Sequence, residues 1–416
     1  MNTRQQSIYK TNPFFAILTL SFVLRLAWVL LIPVIPQSDS FMYDAFALSI
    51  SQGTGYAYPD GGLTAYWPVG TSAVYGALYY IFGHSYSVIT TFNIIIGTVT
   101  TALIMMLANH WFNQKTAFFA GLIYAFWPSQ IQFTTILASE LIFNFFLLLG
   151  LFFWLKFTTK TYYLVLATTC FVIASYVRPI ALLIPFILIT LHLLKGFSFK
   201  NSIKTTLYVV LTMAILIAPW SLRNHHLFGE FVLISTNGAP VLWMGNNPNS
   251  DGGYMPLPEI EFSSEVERSH YLKKQAFDHI RAEPILFIKR CLIRLVDYYK
   301  SETIGVHWNK AGITQSLGEK WLKPLKVQST LYWSIILILA LFGIYQLHRT
   351  NEWKKTYIET PILPLIAYFT VIHMIIASGD RYHFPIIPFL AMLSGYFVAT
   401  IHYKLSPFFK HEAKRS

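Results

Sequence analysis

The sequence predicts an all-α polytopic membrane protein with about ten spans and a small extracytoplasmic α or α/β domain. Of its 416 residues, 54% are hydrophobic and only 12% are charged, whereas soluble globular proteins carry about 25% charged residues. The mean hydropathy of +0.48 points the same way. This composition excludes a disordered chain and argues against an ordinary soluble enzyme.

Basic residues outnumber acidic ones, with 31 Lys and Arg against 19 Asp and Glu. In a membrane protein this excess is explained by basic cytoplasmic loops, so we expect no nucleic-acid partner. Cys170 lies in an apolar run and Cys291 in a polar region, and we expect no disulfide between them. Arg4 precedes a long apolar run without a small-residue cleavage site, which predicts a retained first span.

The predicted spans are apolar stretches, most of them close to the length of about 20 residues that crosses the hydrocarbon core. They cover 13–35, 87–108, 117–134, 139–157, 161–177, 179–194, 205–222, 330–348, 360–377 and 384–403.

The apolar stretch 68–82 reaches only about 22 Å as a helix, which is short for a crossing. If it does not cross, the basic residues of both tails and of the short loops on the same side as the tails fall on the cytoplasmic side. Arg4 is the first of these residues and Arg415 the last. If it crosses, most of them fall outside, against the positive-inside rule. We therefore predict that both termini are cytoplasmic and that 68–82 is an interfacial or re-entrant helix in a long first outer loop, 36–86.

The charge pattern divides the chain into three parts. Residues 1–222 form an N-terminal membrane module, 223–329 an extracytoplasmic domain, and 330–416 the last spans with a cytoplasmic tail. The middle part carries 13 Lys and Arg against 11 Asp and Glu. Its pattern predicts helices around 264–282 and 285–299, because Glu283-Pro284 interrupts or ends the first of them.

Acidic residues are rare in the first module. Its only carboxylates are Asp39, Asp44, Asp60 and Glu140, and all four fall on the outer side. A carboxylate at the end of a span is partly desolvated, which favours proton acceptance. The alternative is structural: Asp39 can cap a helix, Glu140 can complement a helix dipole, and Asp44 can be a solvated partner.

Three arginines, Arg178, Arg223 and Arg381, lie at outer span ends. The guanidinium fork suits a phosphate, although each can also be an interfacial anchor. Arg25 lies near the middle of the first span, where it can snorkel or pair inside the bundle. The sequence contains no HExxH, P-loop, GxGxxG or GxSxG motif that points to a metal or nucleotide site.

Several short motifs are distributed along the chain. They are Asp39-x-x-x-Tyr43, Tyr66-Trp67-Pro68-Val69-Gly70, Ser139-Glu140, Arg178-Pro179, Ala218-Pro219-Trp220-Ser221-Leu222-Arg223-Asn224, Phe228-Gly229-Glu230, Ser235-Thr236-Asn237-Gly238, Gly245-Asn246-Asn247-Pro248 and Arg381-Tyr382-His383-Phe384-Pro385. In their order and spacing the sequence resembles the GT-C superfamily of integral-membrane glycosyltransferases. Within it, the resemblance is to glycosyltransferase family 39 and its relatives, the protein O-mannosyltransferases and the bacterial lipid A aminoarabinose transferases.

The resemblance implies transfer of a sugar from a polyprenyl-phosphate donor to an extracytoplasmic acceptor, which is a cell-envelope glycan, a lipid or a protein. It implies inversion at the anomeric carbon and residence in the bacterial inner membrane, in contact with membrane lipid. Asp39 would deprotonate or orient the acceptor hydroxyl, and Glu140 would be the second catalytic acid.

The remaining residues implied by the resemblance fall into two groups. The donor phosphate would be held by Arg178, Arg223, Arg381 and His383, and the substrate would contact Asp44, Tyr43, Tyr66 and Trp67. The sequence departs from its relatives in lacking a basic residue just before Pro68 and in having Ser40 after Asp39, where the protein mannosyltransferases have an Asp–Glu doublet. No cofactor is certain, and a divalent metal stays open.

Other classes of function remain open at this point. A secondary transporter or lipid-linked glycan flippase would need charged residues in mid-span, and only Arg25 clearly qualifies. An O-antigen ligase-like enzyme would depend on outer arginines and a histidine more than on Asp39 and Glu140. A structural scaffold is the third alternative, and the outer acidic residues argue against it.

Overall fold

The structure is a computed structural model that describes residues 12–158, 160–350 and 355–412. The predicted cytoplasmic ends of the chain, which include Arg4 and Arg415, lie outside the described residues.

The described chain is helical, and its residues form no β-strand, only an isolated bridge between Ala57 and Leu63. The first ten helices are α1 (Asn12–Leu31), α2 (Asp39–Ser51), α3 (Gly70–Phe82), α4 (Tyr86–Trp111), α5 (Gln114–Ala125), α6 (Pro128–Gln132), α7 (Glu140–Trp154), α8 (Tyr162–Val177), α9 (Ile184–Leu194) and α10 (Phe199–Phe228). They are followed by α11 (Gly238–Gly245), α12 (Glu265–Ala282), α13 (Pro284–Tyr299), α14 (Ile304–Trp308), α15 (Lys310–Leu317), α16 (Leu322–Arg349), α17 (Ile362–Ile375) and α18 (Ile387–Glu412).

Every predicted span falls on a helix, and the chain is an integral, multi-pass membrane protein. Five helices of the described residues are long and apolar enough to cross by themselves: Pro13–Leu31, Tyr86–Trp111, Phe199–Phe228, Glu319–Arg349 and Phe384–His402. Three more are apolar but shorter: Tyr162–Val177, Pro179–Leu194 and Ile362–Ile375.

The predicted span 117–134 is not one continuous helix. Helix α5 ends at Ala125, and the chain restarts as α6 at Pro128, because proline cannot donate to a helix in progress and restricts the residue before it. The segment Pro128–Thr135 then meets α7 at an angle of 119°. Glu140 is the first residue of α7 and therefore lies directly after this bend.

The core is built around α4, α5, α7 and α18, with α16 and α8 packed outside them. Glycines permit the closest helix contacts. A Cβ on Gly395 of α18 would lie 2.6 Å from the backbone nitrogen of Ala120 in α5. A side chain there would force the two helices apart, so this glycine sets their separation.

The segment between the membrane modules is helical rather than α/β within the residues described. The helices predicted around 264–282 and 285–299 are α12 and α13. The boundary at 222 falls inside α10 and the one at 329 inside α16, so the membrane helices continue into this segment. Glu265 fastens it to the first outer loop by accepting hydrogen bonds from the Thr64 hydroxyl (2.6 Å) and the Ala65 amide (2.8 Å).

Candidate active site

Four charged residues that are far apart in sequence meet at one end of the bundle. Asp39 opens α2, and Glu140 opens α7 just after the bend. Arg178 follows the last residue of α8, and Arg381 lies in the turn between α17 and α18. Three of them lie at helix ends and Arg381 lies in a turn, so helices that are distant in sequence can bring all four side chains to one point. We call these four residues the charge cluster.

Glu140 lies at the centre of the charge cluster and is 1% exposed. One carboxylate oxygen accepts hydrogen bonds from Nη2 of Arg178 at 2.5 Å and from Nε of Arg381 at 2.6 Å. The other oxygen is 3.2 Å from the hydroxyl of Ser139, which also accepts from Nε of Arg178 at 3.0 Å. A buried carboxylate is tolerated when it is paired and hydrogen-bonded in this way.

Arg381 joins Glu140 to Asp39. Its Nη1 donates a hydrogen bond to Oδ2 of Asp39 at 2.5 Å, and its Nε donates one to Glu140. The guanidinium carbon also lies 4.4 Å from the ring centre of Trp308, within the range of a cation–π contact. Burial lowers the pKa of Arg381, but Glu140 and Asp39 more than offset this and raise it above its ordinary value. The guanidinium therefore stays charged.

The charge cluster is partly exposed at Asp39 and Arg381, and we call this exposed part its opening. The Asp39 side chain is 27% exposed and that of Arg381 19%, whereas the Glu140 side chain is inaccessible. Within the described chain, Nη1 of Arg178 and Nη2 of Arg381 have no hydrogen-bond partner. The site thus offers one accessible carboxylate and two guanidinium nitrogens with donor capacity to spare.

Three of the predicted aromatic contacts lie near this opening. Tyr43 is buried one helical turn after Asp39, and its ring centre is 6.0 Å from that of Trp67. Burial raises the pKa of the Tyr43 phenol, so the phenol remains a proton donor. Tyr66 packs on Trp67 at 5.8 Å and carries Arg268 over its ring at 4.9 Å.

Asp44, predicted as a substrate contact, and Arg223, predicted to hold the donor phosphate, have other partners here. Asp44 accepts hydrogen bonds from the Tyr79 hydroxyl (2.6 Å) and the Tyr86 hydroxyl (3.1 Å). Arg223 donates to the backbone carbonyl of Thr64 at 2.7 Å and braces the first outer loop. Their predicted substrate roles find no support in these contacts.

His383 lies two residues beyond Arg381 but is fully buried. Its Nδ1 is 2.8 Å from the carbonyl of Tyr298, its ring stacks on Trp333 at 3.8 Å, and its Nε2 is 3.5 Å from Glu302. Glu302 also accepts from the indole of Trp127 at 3.0 Å. This arrangement holds the turn that carries Arg381 and does not face the opening.

Sequence reasoning missed Trp308, Ser139 as a hydrogen-bond partner, and the Glu302–His383 pair. Trp308 and Glu302 come from the segment between the membrane modules, and no local pattern marks them as neighbours of Arg381. In the described part of the chain, no group of three His, Cys, Asp or Glu is arranged to hold a metal ion. Asp39 and Glu140 are instead matched by two guanidinium groups.

The fold is the GT-C fold that the sequence resemblance predicted, and the chain shares it with the two solved structures described below. A family model described as dolichyl-phosphate-mannose-protein mannosyltransferase matches residues 67–222, a range that contains Glu140 and Arg178. No curated protein matches the chain by sequence.

Two solved structures are particularly informative. The oligosaccharyltransferase AglB from Archaeoglobus fulgidus, in complex with an inhibitory peptide and a dolichol-phosphate, aligns over 98% of this chain and 52% of its own, with a TM-score of 0.58 and 13% identity. ArnT from Cupriavidus metallidurans, bound to undecaprenyl phosphate, aligns over 92% of this chain and 59% of its own, with a TM-score of 0.56 and 14% identity. The chain therefore spans somewhat more than half the length of these structures, and at such identities the likeness concerns the fold.

Proposed function

We propose that this protein is a membrane glycosyltransferase that passes a sugar from a polyprenyl-phosphate donor to a hydroxyl-bearing acceptor outside the cytoplasm. The observation that carries the proposal is that Asp39 and Glu140, the first residues of α2 and α7, share the guanidinium of Arg381. Both GT-C structures described above contain a polyprenyl-type phosphate, which supports this class of donor.

In the proposed reaction, the accessible Asp39 carboxylate takes the proton of the acceptor hydroxyl as its oxygen attacks the anomeric carbon. The bond between that carbon and the phosphate oxygen breaks on the opposite face, so the anomeric configuration inverts. The electron pair leaves with the polyprenyl phosphate. One carboxylate near the reacting carbon is enough for this direct displacement.

The leaving phosphate gains negative charge, which positively charged donors stabilise. Nη1 of Arg178 and Nη2 of Arg381 are the nitrogens with spare donor capacity. Glu140, being inaccessible, acts through them: it fixes both guanidinium groups side by side and so positions the phosphate site. We assign Glu140 a positioning role rather than direct contact with the sugar.

The location of the site follows from the predicted topology, in which both termini are cytoplasmic. In a bacterium the protein then resides in the inner membrane, and the charge cluster lies at the face of that membrane turned away from the cytoplasm. Tyr66 and Trp67 line the approach from the outer loop and can stack on a sugar, and the segment 223–329 covers the site and contacts the acceptor.

The transporter alternative depended on Arg25. Its guanidinium is fully buried beside Gly97 and donates to the backbone carbonyl of Ser21 at 3.0 Å. It also lies 5.7 Å from the ring centre of Tyr124. These contacts favour a packing role within α1, α4 and α5 over a place on a transport path.

The test is complementation of a deletion strain with wild type, Asp39→Asn and Asp39→Glu, followed by mass spectrometry of cell-envelope glycans, lipids and proteins. We expect wild type to restore a glycosylated species that the deletion lacks, and Asp39→Asn to restore none of it at equal protein level in the membrane. Restoration by Asp39→Asn would remove Asp39 from its role. An envelope unchanged by the deletion would contradict the proposed function.

A further inference from the structure

Helix α13 is folded with its polar side inward. Arg290, Arg294 and Tyr298 are spaced by four residues, so they share one face of the helix, and all three are buried. In a helix on a soluble domain, charged side chains face solvent and apolar ones face the core. The opposite arrangement here turns apolar side chains outward, which indicates contact with a membrane or a partner.

The buried arginines donate mainly to backbone carbonyls, while Nε of Arg294 has no hydrogen-bond partner among the described residues. Nη1 of Arg290 donates to the carbonyl of Asn247 at 2.8 Å. Arg294 donates to the Gly245 carbonyl, to Oδ1 of Asn246 at 3.1 Å and to the Ile376 carbonyl at 3.2 Å. These bonds fix the rotation of α13 about its axis, because turning it over would leave both guanidinium groups without their partners.

The outward face of α13 is mainly apolar, with Lys289 as an exposed basic residue on it. Ile285, Ile288, Leu292 and Val296 are 82%, 60%, 57% and 63% exposed, and their spacing of three and four residues places them in one stripe. Contiguous exposed stripes of this kind mark contact with a membrane or a partner.

The position of the stripe identifies the occupant. The hydroxyls of Tyr299 and Thr370 lie 2.7 Å apart, so α13 runs beside α17, one of the shorter apolar helices. Val371 and Ile375 of α17 are also exposed and extend the apolar surface into the membrane-spanning bundle. Helix α13 therefore packs against an apolar helix of the membrane-spanning bundle, which places lipid within reach of its exposed stripe.

The charged residues of α13 also favour lipid as the material that covers the stripe. Lys289 is exposed within the stripe, and Lys300 is exposed at the end of the helix. The acidic residue of the helix, Asp297, already pairs with Lys300 at 2.6 Å. An apolar stripe with basic residues beside it is the pattern of a helix that lies in the membrane interface, with lysines reaching lipid phosphates.

We propose that α13 is a membrane-surface helix whose Ile285–Val296 stripe is seated in the acyl chains of the outer leaflet. The sequence had predicted this helix as part of a soluble outer domain. The segment 223–329 is then held against the bilayer by α13 rather than standing free above it. This inference does not depend on the proposed transfer reaction.

The test places a single nitroxide spin label on the helix. Cys170 is buried and Cys291 partly buried, so the variant Cys170→Ala with Cys291→Ser gives a background without reactive thiols. Single cysteines are introduced by Ile288→Cys and Leu292→Cys on the stripe. Lys274→Cys on α12 is the water-exposed control, and Ile215→Cys on the exposed face of α10 is the lipid-exposed control.

The labelled full-length proteins are reconstituted in vesicles of phosphatidylcholine and phosphatidylglycerol. Collision rates are measured by electron paramagnetic resonance power saturation, with oxygen as the apolar probe and a nickel chelate as the aqueous one. We expect the labels at 288 and 292 to collide more with oxygen than with nickel, as at 215, and the label at 274 to show the reverse ratio.

Three results would overturn the proposal. A ratio at 288 and 292 like that at 274 would place the stripe in water. Low collision with both probes would mean that protein, such as a second copy of the chain, covers it. A fall in oxygen collision only on addition of undecaprenyl phosphate would assign the stripe to a polyprenyl chain instead of bulk lipid.

Discussion

Arg381→Lys is the substitution that tests the site most directly, because it keeps the positive charge and removes the forked guanidinium. Arginine uses two different nitrogens, Nε for Glu140 and Nη1 for Asp39. Lysine has a single nitrogen on a flexible stem and cannot reproduce this fork. We expect it to stay with the buried Glu140 and to release Asp39.

The size of the effect follows from the bond that is lost. A hydrogen bond to a charged group contributes about 1.5–3 kcal/mol. If the orientation of Asp39 matters in the transition state, that loss appears in the rate, and about 1.4 kcal/mol corresponds to a tenfold change. Arg381→Lys should therefore lower kcat/KM by about 10- to 150-fold while the fold persists.

The assay is the initial rate of sugar transfer in proteoliposomes, with the lipid-linked donor that envelope mass spectrometry identifies. The matched control is Arg290→Lys, since Arg290 is also buried but binds the carbonyl of Asn247, away from the charge cluster. It should lose stability without a comparable loss of rate per folded molecule. A wild-type rate for Arg381→Lys, or equal losses for both variants, would refute the bridging role of Arg381.

Two further substitutions separate positioning from contact. Glu140→Gln leaves Arg178 without its carboxylate partner, and breaking a buried pair costs about 3–5 kcal/mol, so thermal unfolding in detergent should shift to lower temperature. Turnover should fall more than donor binding, because the arginines act mainly on the charge that the leaving phosphate gains. Equal losses of both would mean that Glu140 supports binding of the intact donor rather than departure of the phosphate. His383→Ala should lower stability by about 1–3 kcal/mol, since the buried Tyr298 carbonyl loses its partner, and His383→Gln should restore part of it. A raised KM for the donor at unchanged stability would instead place His383 at the phosphate.

The helices and the acidic pair were predictable because their signals are local. Apolar runs of span length predict helices from composition alone, and a carboxylate beside such a run is conspicuous because burying charge is costly. Asp39 and Glu140 stood out for that reason. The break within 117–134 also had a local signal, because Pro128 lies inside that stretch and proline interrupts a helix.

The partners of those residues were not predictable. Arg381 and Glu140 are separated by 241 positions, and several arginines at span ends looked equivalent. The structure brings Arg178 and Arg381 to Glu140 but turns Arg223 to a backbone carbonyl of the outer loop. Nothing in the neighbouring residues distinguishes these outcomes, because they depend on how whole helices are arranged.

The sequence by itself determined that this chain lies in a membrane and which of its segments are helical, and it predicted that Asp39 and Glu140 belong to one site. The tertiary structure alone decided which arginines pair with them, that His383 is buried, and which face of α13 is turned outward. Hydropathy and helix periodicity act over one turn or one span, whereas charge pairing and helix rotation are settled by contacts between segments hundreds of residues apart.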